Sequence, residues 1–341
     1  MKSIALKPSF VMLAPMEGII DHQMRSIFAS IGGLDRCVTE FIRVVGNELP
    51  ERVFRRYFPE IDNHSLTGND VPVFAQLLGD NPEAMATNAA KLARMGAAGI
   101  DINFGCPAKT VNNNGGGSVL LQYPERLHQI VSHIRGAVPA EIPVTAKIRL
   151  GYKDKSLVFE NVDAIESGGA NQIAVHARTK LEGYKPPAHW HYIQEIVNRV
   201  SIPVIANGEV WNLGDVETCL RASGTDQIML GRGLVASPEL ALLSKDSNAK
   251  AAQWGDICLL LIYYLRSLEQ TTAEKHQPNL VKQWLVYLRE RFADAFLLFE
   301  QVKRLKHPLD VENELRKAVE TQVKAGRISG TVGNLNLTHL L

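Results

Sequence analysis

The 341-residue chain is short of several features that mark large protein classes. Its four cysteines, Cys37, Cys106, Cys219 and Cys258, are widely spread and form no CxxC pair. That spacing offers neither a disulfide framework nor a zinc site, and it fits free thiols in a reducing compartment. No apolar run approaches the roughly 18–20 residues of a membrane-spanning helix. The opening MKSIALKPSFVMLAP lacks an apolar stretch ending in a small-residue cleavage site, so a cytoplasmic location is expected. Neither sign of charge is in excess: 37 Lys plus Arg stand against 36 Asp plus Glu, a formal +1. This balance excludes a polycation and leaves room for a local basic groove. There is no P-loop, and His189-Trp190-His191 has no acidic partner at ligand spacing, so no metal is expected. With 45% hydrophobic and 21% charged residues, the chain has the apolar mass to fold around a core.

Short, β-branched apolar runs recur along the chain, starting near Val11, Arg36, Val71, Gly99, Pro143, Gln172, Pro203 and Gln227. Most are continuous rather than alternating, as parallel strands covered on both faces require. Helix-like segments separate them; one is opened by Asn81-Pro82-Glu83, a cap with a first-turn proline. Eight such units over about 240 residues predict an α/β fold, a (β/α)8 TIM barrel. Polar residues gather at the C-terminal ends of the runs, the face on which barrel active sites sit. Beyond Leu243 the pattern turns helical, with stretches near 257–268, 280–292, 295–305 and 311–323. Val281, Trp284, Leu285, Leu288 and Phe292 share one helical face. The predicted division is a catalytic barrel over 1–244 and a smaller helical domain over 245–341.

Cys106 follows a strand and precedes KTVNNNGGGSVLL, a loop whose three glycines can bend tightly, approach a ligand or move. A thiol so placed is either a nucleophile, with His176 as a candidate base, or a proton donor. The other three cysteines read as buried hydrophobes. Gly231-Arg232-Gly233 follows the eighth strand and Asn207-Gly208-Glu209 the seventh, the two loops that commonly bind phosphate in this fold. Lys147, inside PVTAKIRL, needs an anion or strong acceptors to offset its burial. Gln76 can both donate to and accept from a heterocycle edge. Residues 280–306 hold six Lys or Arg against three acids; either a solvated face or a phosphate-contacting wall accounts for them.

In chain order, APMEGIID, CVTEFIRV, VFAQLLGD, DINFGCPAKTVNNNGGG, TAKIRLGY, AVHARTK, IPVIANGEVW and MLGRG resemble the tRNA-dihydrouridine synthases. The tail with LVKQWLVYLRERF is similar to the C subgroup of that family. The resemblance implies an FMN-binding barrel, NADPH (or NADH) as reductant, and tRNA as partner; a monomer is expected. By position it implies that Pro15, Met16 and Glu17 line the flavin, that Gln76 and Lys147 bond its ring, and that His176 lies near it. Asn207, Gly208, Glu209, Gly231 and Arg232 are implied to hold the ribityl phosphate. Asn103 is implied to contact the substrate base, and Arg43, Lys282, Trp284 and Arg289 are expected to contact tRNA. Cys106 is then the acid that protonates C5 of uridine, and the subgroup suggests uridine 16 of the D-loop. Two other readings remain: an FMN-dependent dehydrogenase of a free pyrimidine, and an RNA-binding factor without chemistry.

Overall fold

A computed structural model describes residues 6–341. Nine strands appear in the first part of the chain: β1 (Phe10–Leu13), β2 (Arg36–Val38), β3 (Ile42–Arg43), β4 (Val73–Leu78), β5 (Ile100–Asn103), β6 (Val144–Arg149), β7 (Gln172–His176), β8 (Val204–Asn207) and β9 (Gln227–Leu230). All pair in parallel, β9 returns to β1, and a β2–β4 pairing closes the ring. The expected TIM barrel is therefore present, with each of its eight strands where the apolar runs predicted. Its second strand is split. Between the Cys37↔Val73 and Ile42↔Leu77 pairs, that strand advances five residues while β4 advances four. The extra residue is a bulge, a device that re-aims side chains near active sites. It leaves Arg43 exposed at the strand end.

The helices between strands form for local reasons. In Pro82–Arg94, the Asn81 side chain caps the Ala84 N–H, Pro82 occupies the first turn, and Ala84, Met85, Ala89 and Leu92 line the buried face. Successive strand residues alternate between barrel interior and helix layer. Met12, Ala14, Val38, Phe74, Ala174, Ile205 and Met229 fill the interior with one apolar cluster. Below it, the Arg36 guanidinium lies over the rings of Phe10 and Phe74, at 5.0 and 4.1 Å, and donates to Gln172 Oε1 at 2.6 Å. The largely apolar runs thus carry polar residues on their barrel-facing side. Asp101 and Thr145 are buried members of it that composition did not single out.

A second compact unit comprises Gly18–Leu34, Trp211–Leu213 and Arg232–Leu341, so the division predicted at residue 244 falls inside it. Its main helices are His22–Ile31, Trp254–Ser267, Gln277–Leu288, Ala293–Val302 and Pro308–Lys324, followed by a short hairpin at Thr331–Val332 and Leu335–Asn336. Gln253 and Asp256 form a capping box at the start of Trp254–Ser267. Asp256 also accepts the Ser329 and Gly330 N–H groups at 2.8 Å each, which ties the C-terminal segment to that helix. Of the predicted face, Val281, Trp284, Leu285 and Leu288 are buried, while Phe292 lies beyond the end of the helix and is half-buried. Trp284 does not sit where an expected tRNA contact would. It is only 2% exposed, donates its indole N–H to the Val235 carbonyl at 2.9 Å, and packs edge-on against Phe28 and Tyr264. A ring so enclosed is a core residue rather than an RNA contact.

Candidate active site

The C-terminal ends of β4 to β8 bring Gln76, Asn103, Lys147, Arg149, His176 and Asn207 to the same end of one closed sheet. Register explains the gathering: Asn103 is paired with Lys147, Arg149 with His176, and His176 with Asn207. Lys147 Nζ donates to Asn207 Oδ1 at 3.2 Å, and Asn207 Nδ2 donates to the Met229 carbonyl at 2.8 Å. Burial, reinforced by the neighbouring Arg149 charge, brings the Lys147 ammonium down to about 8, although Asp101 and Cys106 pull the other way. Arg149 is buried and donates to the carbonyls of Gly105 and Gly183, each at 2.9 Å.

Cys106 sits half-buried just past β5. Its backbone N–H is held at 2.8 Å by Asn103 Oδ1, which also accepts the Gly105 N–H at 3.0 Å. Its carbonyl accepts from Asn112 Nδ2 and Ser118 Oγ, both at 2.9 Å, so the turn is clamped from both sides. The glycine run has a specific task here. Gly117 has a φ of 68°, and a Cβ on it would lie 2.9 Å from the Cys106 carbonyl oxygen and from Val111 Cγ1. Only glycine allows the loop to close on Cys106 in this way. Burial pushes the thiol above its usual range; the Ala108 N–H, Arg149 and Arg43 act against it, and Glu17 adds to it. The thiol is therefore protonated at neutral pH.

The loop after β8 is pinned in an unusual conformation. Gly208 has a φ of 112° and Glu209 a φ of 59°. Trp190 Nε1 donates to the Gly208 carbonyl at 2.9 Å, and Arg178 Nη2 pairs with Glu209. A Cβ on Gly208 would stand 3.3 Å from His176 Nε2. Arg178 is fully buried, and among the described residues its Nη1 has no hydrogen-bond partner. Gly231, at the end of β9, comes against Met16: a Cβ there would stand 3.3 Å from the Met16 sulfur. Pro15 and Met16 are half-buried and Glu17 is exposed. Arg232 begins the helix Arg232–Ala236 and lays its guanidinium over Trp211 at 4.9 Å. In the second unit, Lys282 Nζ donates to the Leu305 carbonyl at 2.5 Å, and Arg289 lies over the Phe299 ring at 5.0 Å. The sequence reading missed Asp101, Thr145 and Trp190. Asp101 lies two residues before Asn103 in a period-2 strand, a signal that places the two side chains on one face.

Among the described residues, no cluster of three or more His, Cys, Asp or Glu is placed to hold a metal ion, and no helix is long and apolar enough to cross a membrane. A closed parallel barrel with amide, lysine and glycine-loop groups at its strand ends defines a TIM-barrel protein with a polar face at the C-terminal ends of its strands. Two solved structures share the fold: a 2-naphthoyl-CoA reductase complex (TM-score 0.51, 11% identity, 68% of this chain and 49% of that one) and histamine dehydrogenase from Rhizobium sp. 4-9 (TM-score 0.51, 12% identity, 70% and 46%). The sequence goes further. The dihydrouridine synthase family model matches residues 12–324, and the chain belongs to that family. The tRNA-dihydrouridine(16) synthase of Shewanella oneidensis is 47% identical over 308 residues, covering 90% of this chain and 98% of that protein. The enzyme of the same name from Ralstonia nicotianae is 46% identical over 314 residues, covering 91% and 96%.

Proposed function

We propose that this protein reduces the C5–C6 double bond of uridine in tRNA to 5,6-dihydrouridine, at position 16, with Cys106 as the acid. The observation behind the role of Cys106 is its state: a half-buried thiol, raised by burial and set in a turn clamped at both its N–H and its carbonyl. A nucleophilic thiol needs its proton removed, whereas a proton donor needs it kept. His176, the candidate base, lies 3.4 Å from Arg149 Nη1 and meets Tyr184 edge-on, and the Arg149 charge beside it disfavours its taking up a proton. Once the proton has gone to C5, the charges of Arg149 and Arg43 and the Ala108 N–H stabilise the thiolate left behind.

The residues present fit FMN. The unpartnered Arg178 Nη1, the Lys147 ammonium and the glycine positions 208 and 231 suit an anionic, phosphate-bearing ligand. In this reading Pro15, Met16 and Glu17 would line the flavin, Gln76 and Lys147 would hold its ring with His176 nearby, and Asn207, Gly208, Glu209, Gly231 and Arg232 would hold its phosphate. When bound and reduced, FMN supplies the hydride for C6 of uracil, with NADPH (or NADH) as the ultimate source. Lys147, still charged at neutral pH, would balance negative charge on a bound flavin. Arg43, Lys282 and Arg289 are proposed tRNA contacts, the latter two on a helical unit that grips the RNA backbone rather than its bases. The target base has to leave its stack to meet the flavin. Position-resolved mapping of dihydrouridine in tRNA from a strain lacking the protein tests the assignment. Loss confined to position 16 is expected; an unchanged map, with free uracil reduced by the purified protein, would overturn it.

A further inference from the structure

A directional hydrogen-bond chain runs from the buried barrel interior to Cys106. Thr145 Oγ1 donates to Asp101 Oδ1 at 2.5 Å, and Gln76 Nε2 donates to Asp101 Oδ2 at 2.7 Å. Asn103 Nδ2 donates to Gln76 Oε1 at 2.7 Å, and Asn103 Oδ1 accepts the N–H groups of Gly105 and Cys106. Each of these side chains is buried. The direction is set from both ends. Backbone N–H groups can only donate, so Asn103 must turn its oxygen to them and its amide nitrogen to Gln76. Gln76 then has only its nitrogen left for residue 101, which must accept.

We infer that Asp101 is a positioning residue that fixes Cys106 through Gln76 and Asn103. Without an acceptor at position 101, the Gln76 amide loses the partner that orients it. Asn103 in turn loses the fixed acceptor that keeps its oxygen on the Cys106 N–H. Protonation of Asp101 does not break the chain, because the Thr145 hydroxyl can reverse and accept while Oδ2 still receives Gln76. By the same logic asparagine at 101 preserves it, with Oδ1 toward Gln76 and Nδ2 toward Thr145. Leucine, of similar size, abolishes it. For the clamp on Cys106 the buried carboxyl is thus required as an acceptor, whereas its charge acts on Lys147 and Arg36.

This inference rests on the reading of Cys106 as the acid, and its test separates the two. Asp101→Asn and Asp101→Leu holoenzymes would be compared for kcat and KM on tRNA and for the pH dependence of Cys106 alkylation by iodoacetamide, followed by mass spectrometry. Asp101→Ala replaces the leucine variant if that one does not fold, with flavin absorbance and circular dichroism recording that each variant is loaded and folded. Asp101→Leu should lose about tenfold or more in kcat with little change in KM, as expected for a misplaced group. Its thiol, released from the clamped turn, should alkylate faster at neutral pH. Asp101→Asn should keep the wild-type alkylation profile and lose far less kcat than the leucine variant, its remaining deficit coming from the charge that Asp101 lends to Lys147. A leucine variant with normal kcat and a normal alkylation profile would overturn the inference, as would an asparagine variant as impaired as the leucine one. A displaced profile with normal kcat supports the positioning role and removes Cys106 as the acid.

Discussion

Replacing Lys147 with methionine should stabilise the flavin-free protein while destroying its function. Lys147 stands in a buried strand between Ala146 and Ile148, and its ammonium is held at about 8 against an ordinary 10.5. At roughly 1.4 kcal/mol per pH unit, that depression means the folded state pays about 3 kcal/mol to keep the charge. Methionine removes the penalty and fills similar space, but forfeits a bond from a charged donor to Asn207 Oδ1, worth about 2 kcal/mol. The net gain at pH 7 is about 1 kcal/mol. The sign follows from linkage. Below about 8 the lysine is charged in both states and the whole penalty is present. Between about 8 and 10.5 the folded protein releases its proton first, so wild-type stability rises relative to the variant and the gap closes. Urea unfolding of both proteins, stripped of flavin, at pH 7 and at intervals up to pH 10.5 measures this. A variant less stable than wild type at pH 7, or a difference that does not shrink with pH, would refute the account of Lys147 as a charge held for a ligand.

Cys106→Ala should keep bound flavin and tRNA affinity yet form little dihydrouridine in single-turnover assays; full turnover would remove Cys106 from the chemistry. Loss of the buried Arg178 guanidinium in Arg178→Leu should free the Glu209 loop and weaken FMN retention, read by flavin fluorescence during dialysis; unchanged retention would make the pair purely structural. Lys282→Glu combined with Arg289→Glu should weaken tRNA binding and reduce its logarithmic salt slope by about two. Affinity and slope equal to wild type would return both side chains to an ordinary solvated face. Trp284→Ala should cost roughly 3–5 kcal/mol in unfolding, the price of emptying a core aromatic site, and a loss below about 1 kcal/mol would contradict its placement in the core.

The sequence by itself determined the barrel, because eight buried runs punctuated by capped helices leave few ways to hide their backbone and side chains. It also marked Cys106, Gln76, Lys147 and the Asn207 and Gly231 loops, since polar residues ending an apolar strand are costly unless a site uses them. Period and composition are local signals, and they stop at whatever depends on a partner distant in the chain. Whether the Cys106 thiol holds or sheds its proton follows from burial and from Arg43 and Arg149, 63 and 43 positions away. Trp284 showed the same limit: its helical face was legible, but only Val235, Phe28 and Tyr264 made it core. Beyond sharing a strand face with Asn103, Asp101 carries no local signal that sets it apart. Parallel pairing across β4, β5 and β6 set it against Gln76 and Thr145 and so gave it a direction to impose. Chemistry of single residues was written in the chain, and the polarity of the network that aims them was decided by tertiary register.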